Sequence, residues 1–182
     1  MRRTLIENLW RGRLTEPAPS IAPGEPAALA AELDRVARHS LGRSLAIRAF
    51  DAGSCNGCEL ELIALGNPFY DLERFGLKFV ASPRHADVLM ITGPMTRAMH
   101  AALRLTHEAM PAPKFVIAIG DCACTGGMFA ASPACLGAAS QVIAVDLHIP
   151  GCPPDPVAIL QGLIGFASNL AGTPDRAPIP SA

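Results

Sequence analysis

The chain has 182 residues, of which half are apolar and 17% are charged, and its formal net charge is −1. This length fits one domain that buries a sizeable core, and the apolar surplus predicts that part of its surface faces a partner. Because the charge is nearly balanced and there is only one Trp and one Tyr, we expect no nucleic-acid partner, which would need a basic surface or stacking aromatics.

Residues 1–26 are predicted to form an N-terminal arm and a proline-rich linker. Residues 1–14 are typical of a frayed terminus or of an arm that docks on a partner or a membrane surface. The apolar side chains on one helical face of this segment are Leu5, Ile6, Leu9 and Trp10. The segment lacks the apolar run and cleavage site of a secretory signal, and no stretch has the roughly 20 apolar residues of a membrane-spanning helix. We therefore expect a reducing compartment and membrane contact only through other subunits.

Helical and strand-like segments alternate after this linker. Apolar strands are predicted at 44–50, 77–82, 87–93, 114–120 and within 141–149. Helices are predicted at 26–42 with Gly42 as its C-terminal cap, from near Cys58, at 96–110 with Thr96 as its N-terminal cap, and from 153 onward with proline in the first turn. This alternation predicts an open, doubly wound, mainly parallel sheet with helices on both faces. The expected division is an arm and linker at 1–26, an α/β domain at 27–172 and a C-terminal tail at 173–182.

Five of the six cysteines follow predicted strands. Cys55 and Cys58 come after the first strand, Cys122 and Cys124 after the strand at 114–120, and Cys152 after the last strand. The carboxyl ends of parallel strands lie at one edge of a sheet, so these thiols are expected to converge there. A C-x-x-C pair alone fits a redox disulfide, half a zinc site or half a cluster site. Ligands scattered over three loops favour a 4Fe–4S cluster, whereas cysteine-built zinc sites usually come as two close pairs.

The residues around these cysteines suit a bulky inorganic group. Glycines that permit positive φ leave room for it, and their N–H groups can donate to cluster sulfurs. The glycines concerned are Gly53, Gly57, Gly126 and Gly127, and Pro150, Pro153 and Pro154 stiffen the last loop. We expect the thiolate of Cys58 to be stabilised by the N-terminus of its helix.

Three motifs resemble those of a known family. CNGCELE, GDCACTGG and VDLHIPGCPPDP are similar to the small subunit of membrane-bound, complex I-related (group 4) nickel–iron hydrogenases of the formate hydrogenlyase type. A close relative of that subunit is the cluster-bearing subunit of respiratory complex I next to the quinone site. The similarity covers about residues 45–170 and implies a flavodoxin-like α/β domain. It implies one 4Fe–4S cluster held by Cys55, Cys58, Cys122 and Cys152.

The resemblance leaves two cysteines outside the ligand set. Cys124 falls on a variable position of the family motif, which makes it a bystander, or a fallback ligand if the register differs. Cys135 is expected to be a small buried hydrophobe. Glu61 matches an acidic family position, and we expect a role in proton movement or interface polarity, with a plain solvated helix face as the alternative.

The resemblance also implies a function and partners. The chain is expected to relay electrons through its cluster to or from the nickel–iron centre of a large subunit, with a ferredoxin-like subunit and membrane subunits in the same complex. Its expected location is the cytoplasmic side of the cell membrane, held there by those partners. The C-x-x-C spacing favours the hydrogenase, because the complex I subunit has its first two ligand cysteines adjacent. One alternative is a cluster-bearing subunit of a complex I-like quinone oxidoreductase, whose partner would be the complex I counterpart of the large subunit. The other alternative is a zinc-stabilised scaffold.

Overall fold

The centre of the fold is a parallel β-sheet, seen in a computed structural model that describes residues 25–41, 45–75 and 77–171. The strands are β1 (Ala46–Asp51), β2 (Lys78–Phe79), β3 (Val88–Thr92), β4 (Met95–Thr96), β5 (Phe115–Ile119), β6 (Cys135–Gly137) and β7 (Leu147–Ile149). The main sheet has the order β2–β1–β3–β5–β7, and all of its neighbouring strands are parallel. This order is that of the flavodoxin-like doubly wound fold. The predicted fold class is therefore confirmed.

Helices cover both faces of the sheet. They are α1 (Glu25–Leu41), α2 (Gly57–Ala64), α3 (His100–Glu108), α4 (Gly120–Thr125) and α5 (Pro156–Ala171). Helices α1, α2 and α5 bury apolar side chains against one face, where the rings of Phe115 and Phe166 meet edge to face with centroids 5.2 Å apart. Helices α3 and α4 contribute Leu103 and Ala123 to the core on the opposite face. No helix among the described residues is long and apolar enough to cross a membrane.

The central strands are buried along their whole length. Every residue of β3 and β5 is buried, because each strand has a parallel neighbour on both sides and helices on both faces. Met90 and Ile117 point to one face of the sheet, while Leu89 and Val116 point to the other. The continuous apolar runs in the sequence thus correspond to the two strands that carry the core.

Strands β4 and β6 form a separate two-stranded antiparallel sheet that the sequence patterns do not predict. Thr96 lies in β4, and its hydroxyl donates to the carbonyl of Ala52 at 2.7 Å. The prediction that Thr96 caps the following helix is wrong, since α3 begins at His100 and is preceded by Met99. The hydroxyl thus stabilises a tertiary contact with the loop after β1 instead of a helix end.

The ends of the chain lie outside the described residues. The arm and most of the linker at 1–26, the cap at Gly42 and the tail at 173–182 are not described, so the division into 1–26, 27–172 and 173–182 stays a prediction. Helix α1 begins at Glu25, within the last two residues of the predicted linker.

A substitution at the buried face of α1 tests its contribution to the core. Leu33 is fully buried in the cluster that joins α1, α5 and the sheet. Leu33→Ala is expected to lower the free energy of unfolding by about 2–5 kcal/mol, because it removes buried apolar surface and leaves a cavity. Urea unfolding of the purified chain, followed by circular dichroism, measures this. The matched control Leu105→Ala, at a side chain 66% exposed on α3, should cost less than about 0.5 kcal/mol. Equal losses would contradict the described packing of α1.

Candidate iron–sulfur site

Three loops at one edge of the sheet carry the predicted ligand cysteines. Cys55 lies between β1 and α2, and Cys58 lies in the first turn of α2. Cys122 lies in α4 directly after β5, and Cys152 lies between β7 and α5. Because β1, β5 and β7 belong to one parallel sheet, all four residues sit at the same edge.

Three of the thiols lie near enough to Cys58 to act on it. Burial raises the pKa of Cys58, and the thiols of Cys122, Cys55 and Cys152 add to that shift. Burial also raises the pKa of Cys122, and the thiols of Cys152 and Cys55 add to it. All six cysteines are free, so none of the four is tied up in a disulfide. Within the described ranges, no three His, Cys, Asp or Glu side chains form a group that could hold a single metal ion.

Two glycines lie directly next to sulfur atoms of the predicted ligands. An ideal Cβ built on Gly120, whose φ is +85°, would lie 2.5 Å from Sγ of Cys58. The same construction at Gly127, with a φ of +53°, places a Cβ 2.8 Å from Sγ of Cys122. Any other residue at either position would push a sulfur atom away and would need a strained backbone. These two glycines therefore set how closely backbone approaches the thiols.

Three of the four glycines that were predicted to adopt positive φ do so in the structure. Gly53, Gly126 and Gly127 have positive φ, as expected. Gly57 instead begins α2, and the left-handed residue before it is Asn56, with a φ of 72°. Gly120 was missed, because it was assigned to the end of a strand and not to the site.

Burial dominates the electrostatics of Cys58. It raises the pKa of this thiol to about 12, and the Glu59 carboxylate and the three other thiols act in the same direction. The expectation that the helix N-terminus stabilises the thiolate is therefore wrong for the metal-free chain. The dipole of α2, a helix of eight residues, does not offset the loss of water and the surrounding negative charge.

Polar contacts shape the first cysteine loop. Oδ1 of Asp51 accepts from the N–H groups of Gly53 and Ser54, both at 2.7 Å. The hydroxyl of Ser54 donates to Oε2 of Glu59 and accepts from the N–H of Asn56 at 2.9 Å. The other carboxylate oxygen of Glu59 is buried and has no hydrogen-bond partner among the described residues. A negative group with one unsatisfied oxygen thus lies beside Cys58.

Glu61 is placed differently from its neighbour Glu59. It lies half-buried on α2 and acts on Tyr70, whose pKa is raised first by burial and then by the carboxylates of Asp155 and Glu61. Glu59 is the carboxylate that acts on Cys58. The resemblance to the family assigns a role to Glu61 and none to Glu59. The role of Glu61 stays a prediction.

The remaining two cysteines differ in their surroundings. Cys124 turns toward the core on the α3 side of the sheet, where its thiol donates to the carbonyl of Ala118 at 3.6 Å. Burial raises its pKa to about 11, and no other thiol contributes to that shift. Cys135 lies in β6 and contributes to the raised pKa of Cys122. It is half-buried, so the expectation of a buried hydrophobe is wrong, and in β6 only Gly137 is buried.

Exposed apolar side chains stand on the elements that carry the thiols. Leu60 and Ile63 project from α2, and Ile63 is 68% exposed. Met128, which is 85% exposed, and Phe129 follow α4 directly. We call these four side chains, together with exposed Phe69 after α2, the apolar rim. Large exposed apolar groups on the elements that carry the thiols are typical of a surface that a partner covers.

Comparison with known proteins identifies a family. The sequence profile described as NADH ubiquinone oxidoreductase, 20 Kd subunit, matches residues 55–166. This range includes all four predicted ligand cysteines and most of the parallel sheet.

Curated relatives come from hydrogenases and from quinone oxidoreductases. The probable membrane-bound hydrogenase subunit mbhJ of Pyrococcus furiosus is 47% identical over 72% of this chain and 78% of its own length. Formate hydrogenlyase subunit 7 of Escherichia coli is 45% identical over 66% of this chain, which spans only 47% of that protein. An NADH-quinone oxidoreductase subunit of Heliobacterium modesticaldum is 46% identical over 62% of this chain and 65% of its own length. Overall identity thus does not separate the two classes.

Solved structures share the fold. A chain of the membrane-bound sulfane sulfur reductase, an archaeal respiratory membrane complex, is 33% identical and superposes with a TM-score of 0.65 over 79% of this chain and 77% of that chain. A chain of an NAD⁺-reducing [NiFe]-hydrogenase is 20% identical, with a TM-score of 0.56 over 77% and 98% of the two chains. The second similarity supports the fold alone.

Thiol labelling tests the described surroundings of the cysteines. In metal-free chain at about pH 8, iodoacetamide should modify exposed Cys55 and Cys152 first and should modify Cys58 and Cys124 last. The last two react slowly because their pKa values are raised to about 12 and 11. Their labelling rates should therefore rise about tenfold per pH unit below those values, since only the thiolate reacts. Mass spectrometry of peptides reads the order, and urea-unfolded chain, in which all six thiols should react alike, is the control. The same uniform labelling in the folded chain would contradict the described burial.

Proposed function

The chain belongs to the family of the 20 Kd subunit of NADH ubiquinone oxidoreductase, and we propose that it holds one 4Fe–4S cluster and relays electrons within a membrane-associated hydrogenase complex. The family supports the broader role of an electron-transfer subunit in a hydrogenase or quinone oxidoreductase complex. The proposed ligands are Cys55, Cys58, Cys122 and Cys152. The observation that carries this assignment is the convergence of four free cysteines on three loops at one edge of the parallel sheet.

The donor set fits a cluster in number and chemistry. A 4Fe–4S cluster is bound by four cysteine thiolates, each to a different iron atom, so its ligands surround a core and do not converge on one point. Thiols within electrostatic range of one another, on three separate loops, suit that arrangement. Gly120 and Gly127 leave the sulfur atoms of Cys58 and Cys122 uncovered by neighbouring side chains. When bound, the cluster supplies one-electron redox chemistry.

The residues around the site prepare it for metal. Burial keeps Cys58 protonated in the metal-free chain, so binding iron must release its proton. The Glu59 carboxylate adds negative charge next to the same thiol. Exposed Cys55 and Cys152 lie on the outer side of the site, where a partner that exchanges electrons can approach closely. Covering the apolar rim would exclude water from that contact.

The cysteine spacing supports the hydrogenase over the quinone-linked alternative. Cys55 and Cys58 are separated by two residues, whereas the first two ligands of the complex I subunit are adjacent. The proposed partners are accordingly a nickel–iron large subunit, a ferredoxin-like subunit and membrane subunits. The near-equal identity to a quinone oxidoreductase subunit keeps the complex I counterpart of the large subunit as the second candidate partner. We place the complex on the cytoplasmic side of the membrane, with Glu61 serving proton movement or interface polarity.

Matched serine substitutions test the ligand assignment. Cys122→Ser should lose the cluster in anaerobically purified complex, because it removes one of four iron ligands. Cys124→Ser should retain it, because that thiol faces the core and bonds to Ala118. Iron and acid-labile sulfide per chain measure both outcomes. Equal loss in the two variants would show that the ligand register is mistaken, and zinc in place of iron and sulfide would support a scaffold.

A charge placed in the apolar rim tests the partner. Ile63→Glu should reduce the yield of the large subunit that co-purifies with the tagged chain by at least about tenfold, because it buries a carboxylate in the interface. Leu105→Glu, on the opposite face of the sheet and equally exposed, should leave that yield unchanged. Equal yields for Ile63→Glu and wild type would argue against docking at the rim. Nickel in the co-purified wild-type partner supports the hydrogenase, and a nickel-free partner that reduces quinone supports the alternative.

A further inference from the structure

Two hydrogen bonds join the loop of Cys122 to the loop of Cys152 through one residue. The N–H of Asp121 donates to the carbonyl of Gly151 at 2.8 Å. In return, Oδ1 of Asp121 accepts from the N–H of Gly151 at 2.8 Å, across 30 residues of sequence. Asp121 directly precedes Cys122 and Gly151 directly precedes Cys152, so this reciprocal pair connects the backbones next to two of the proposed ligands.

The surrounding backbone makes this connection short. An ideal Cβ on Gly120 would lie 3.4 Å from the carbonyl of Gly151, so the two loops are already in contact there. Gly151 itself has a φ of +141°, and a Cβ on it would lie 2.6 Å from the backbone of Pro154. Gly151 is thus required at this position, and its N–H donates to the carboxylate of Asp121.

We propose that the Asp121 carboxylate is a positioning residue: it fixes the placement of Cys122 relative to Cys152, and its negative charge lowers the reduction potential of the cluster. This inference rests on the proposed cluster. A charge-assisted hydrogen bond from a backbone N–H to a carboxylate is stronger than a neutral one, so it holds the two loops in register. A negative charge next to the site disfavours an added electron, and net charge is one of the determinants of cluster potential.

The position of Asp121 supports its effect on the site, because it directly precedes the proposed ligand Cys122 in α4. The carbonyl of Asp121 also accepts from the hydroxyl of Thr125 at 2.9 Å, which ties the residue into α4. The backbone bond from Asp121 to Gly151 survives any substitution of the side chain, so the loops remain connected in the variants.

Asp146 provides a matched control at the opposite end of the same strands. Its Oδ2 accepts from the N–H of Val116 at 2.8 Å, again across 30 residues, and so also joins the segments of β5 and β7. It lies at the amino ends of these strands, away from the cysteine loops. Asp146→Asn therefore removes the same charge from the same kind of contact without touching the site.

The experiment compares three variants of the anaerobically purified complex with wild type. Asp121→Asn removes the charge and keeps an oxygen acceptor for Gly151. At the wild-type midpoint potential, its ratio of reduced to oxidised cluster should rise at least about threefold, with an unchanged paramagnetic resonance spectrum. Asp121→Ala should show the same rise and, in addition, an altered spectrum and faster iron loss to a chelator. Asp146→Asn should match wild type in all three readouts.

Defined results would overturn the proposal. If the ratio of reduced to oxidised cluster in Asp121→Asn equals that of wild type or of Asp146→Asn, the charge of Asp121 does not lower the reduction potential. If the cluster of Asp121→Ala has the same spectrum and the same chelator resistance as that of Asp121→Asn, Asp121 does not position the two loops. If Asp121→Ala fails to assemble, the chelator resistance of Asp121→Glu decides that role, since a longer side chain that misplaces the acceptor should speed iron loss. Wild-type complex without iron and sulfide would instead refute the proposed function.

Discussion

The parallel direction of β1, β5 and β7 is the constraint on which the site depends. Each of these strands ends at the same edge of the sheet, so loops far apart in sequence meet there. Strand β3 lies between β1 and β5, which means that the first cysteine loop must reach across the end of a neighbouring strand. The hydrogen bonds from Gly53 and Ser54 to Asp51 hold that loop in place. Topology thus brings the thiols to one edge, and local hydrogen bonds set their final positions.

This convergence concentrates groups that repel one another when they ionise. Half-buried Cys58 has a pKa raised to about 12 by loss of water, by Glu59 and by three other thiols. One oxygen of Glu59 has no hydrogen-bond partner among the described residues. Such an arrangement is unfavourable in an empty, ionised state and becomes favourable when cations occupy it. The same crowding that destabilises the thiolates therefore supplies affinity for a positively charged core.

The parts of the fold that follow from sequence are those with long, uninterrupted signals. Strands β3 and β5 are read from continuous apolar runs, and the residues that follow each strand predict where the thiols meet. The sheet of β4 and β6 was missed because its strands have only two and three residues, too few to show a period. Thr96 was misread for the same reason, since a threonine before a helical pattern looks like a cap until its contact with Ala52 is known. The pKa of Cys58 was misjudged because burial is a property of the folded chain, whereas helix position can be read from sequence.

The apolar rim and the exposed thiols are two consequences of one requirement. Electrons pass over short distances only, so the proposed function requires cluster ligands near the surface that meets the partner, and Cys55 and Cys152 are exposed. A site open to water would weaken the electrostatic control exerted by nearby charges, because solvent screens them. Exposed Ile63 and Met128 on the flanking elements provide the surface that a partner can cover to exclude that water. Under the proposed function, the carboxylates beside the thiols act at full strength only in the assembled complex, so the tuning of the proposed cluster depends on docking.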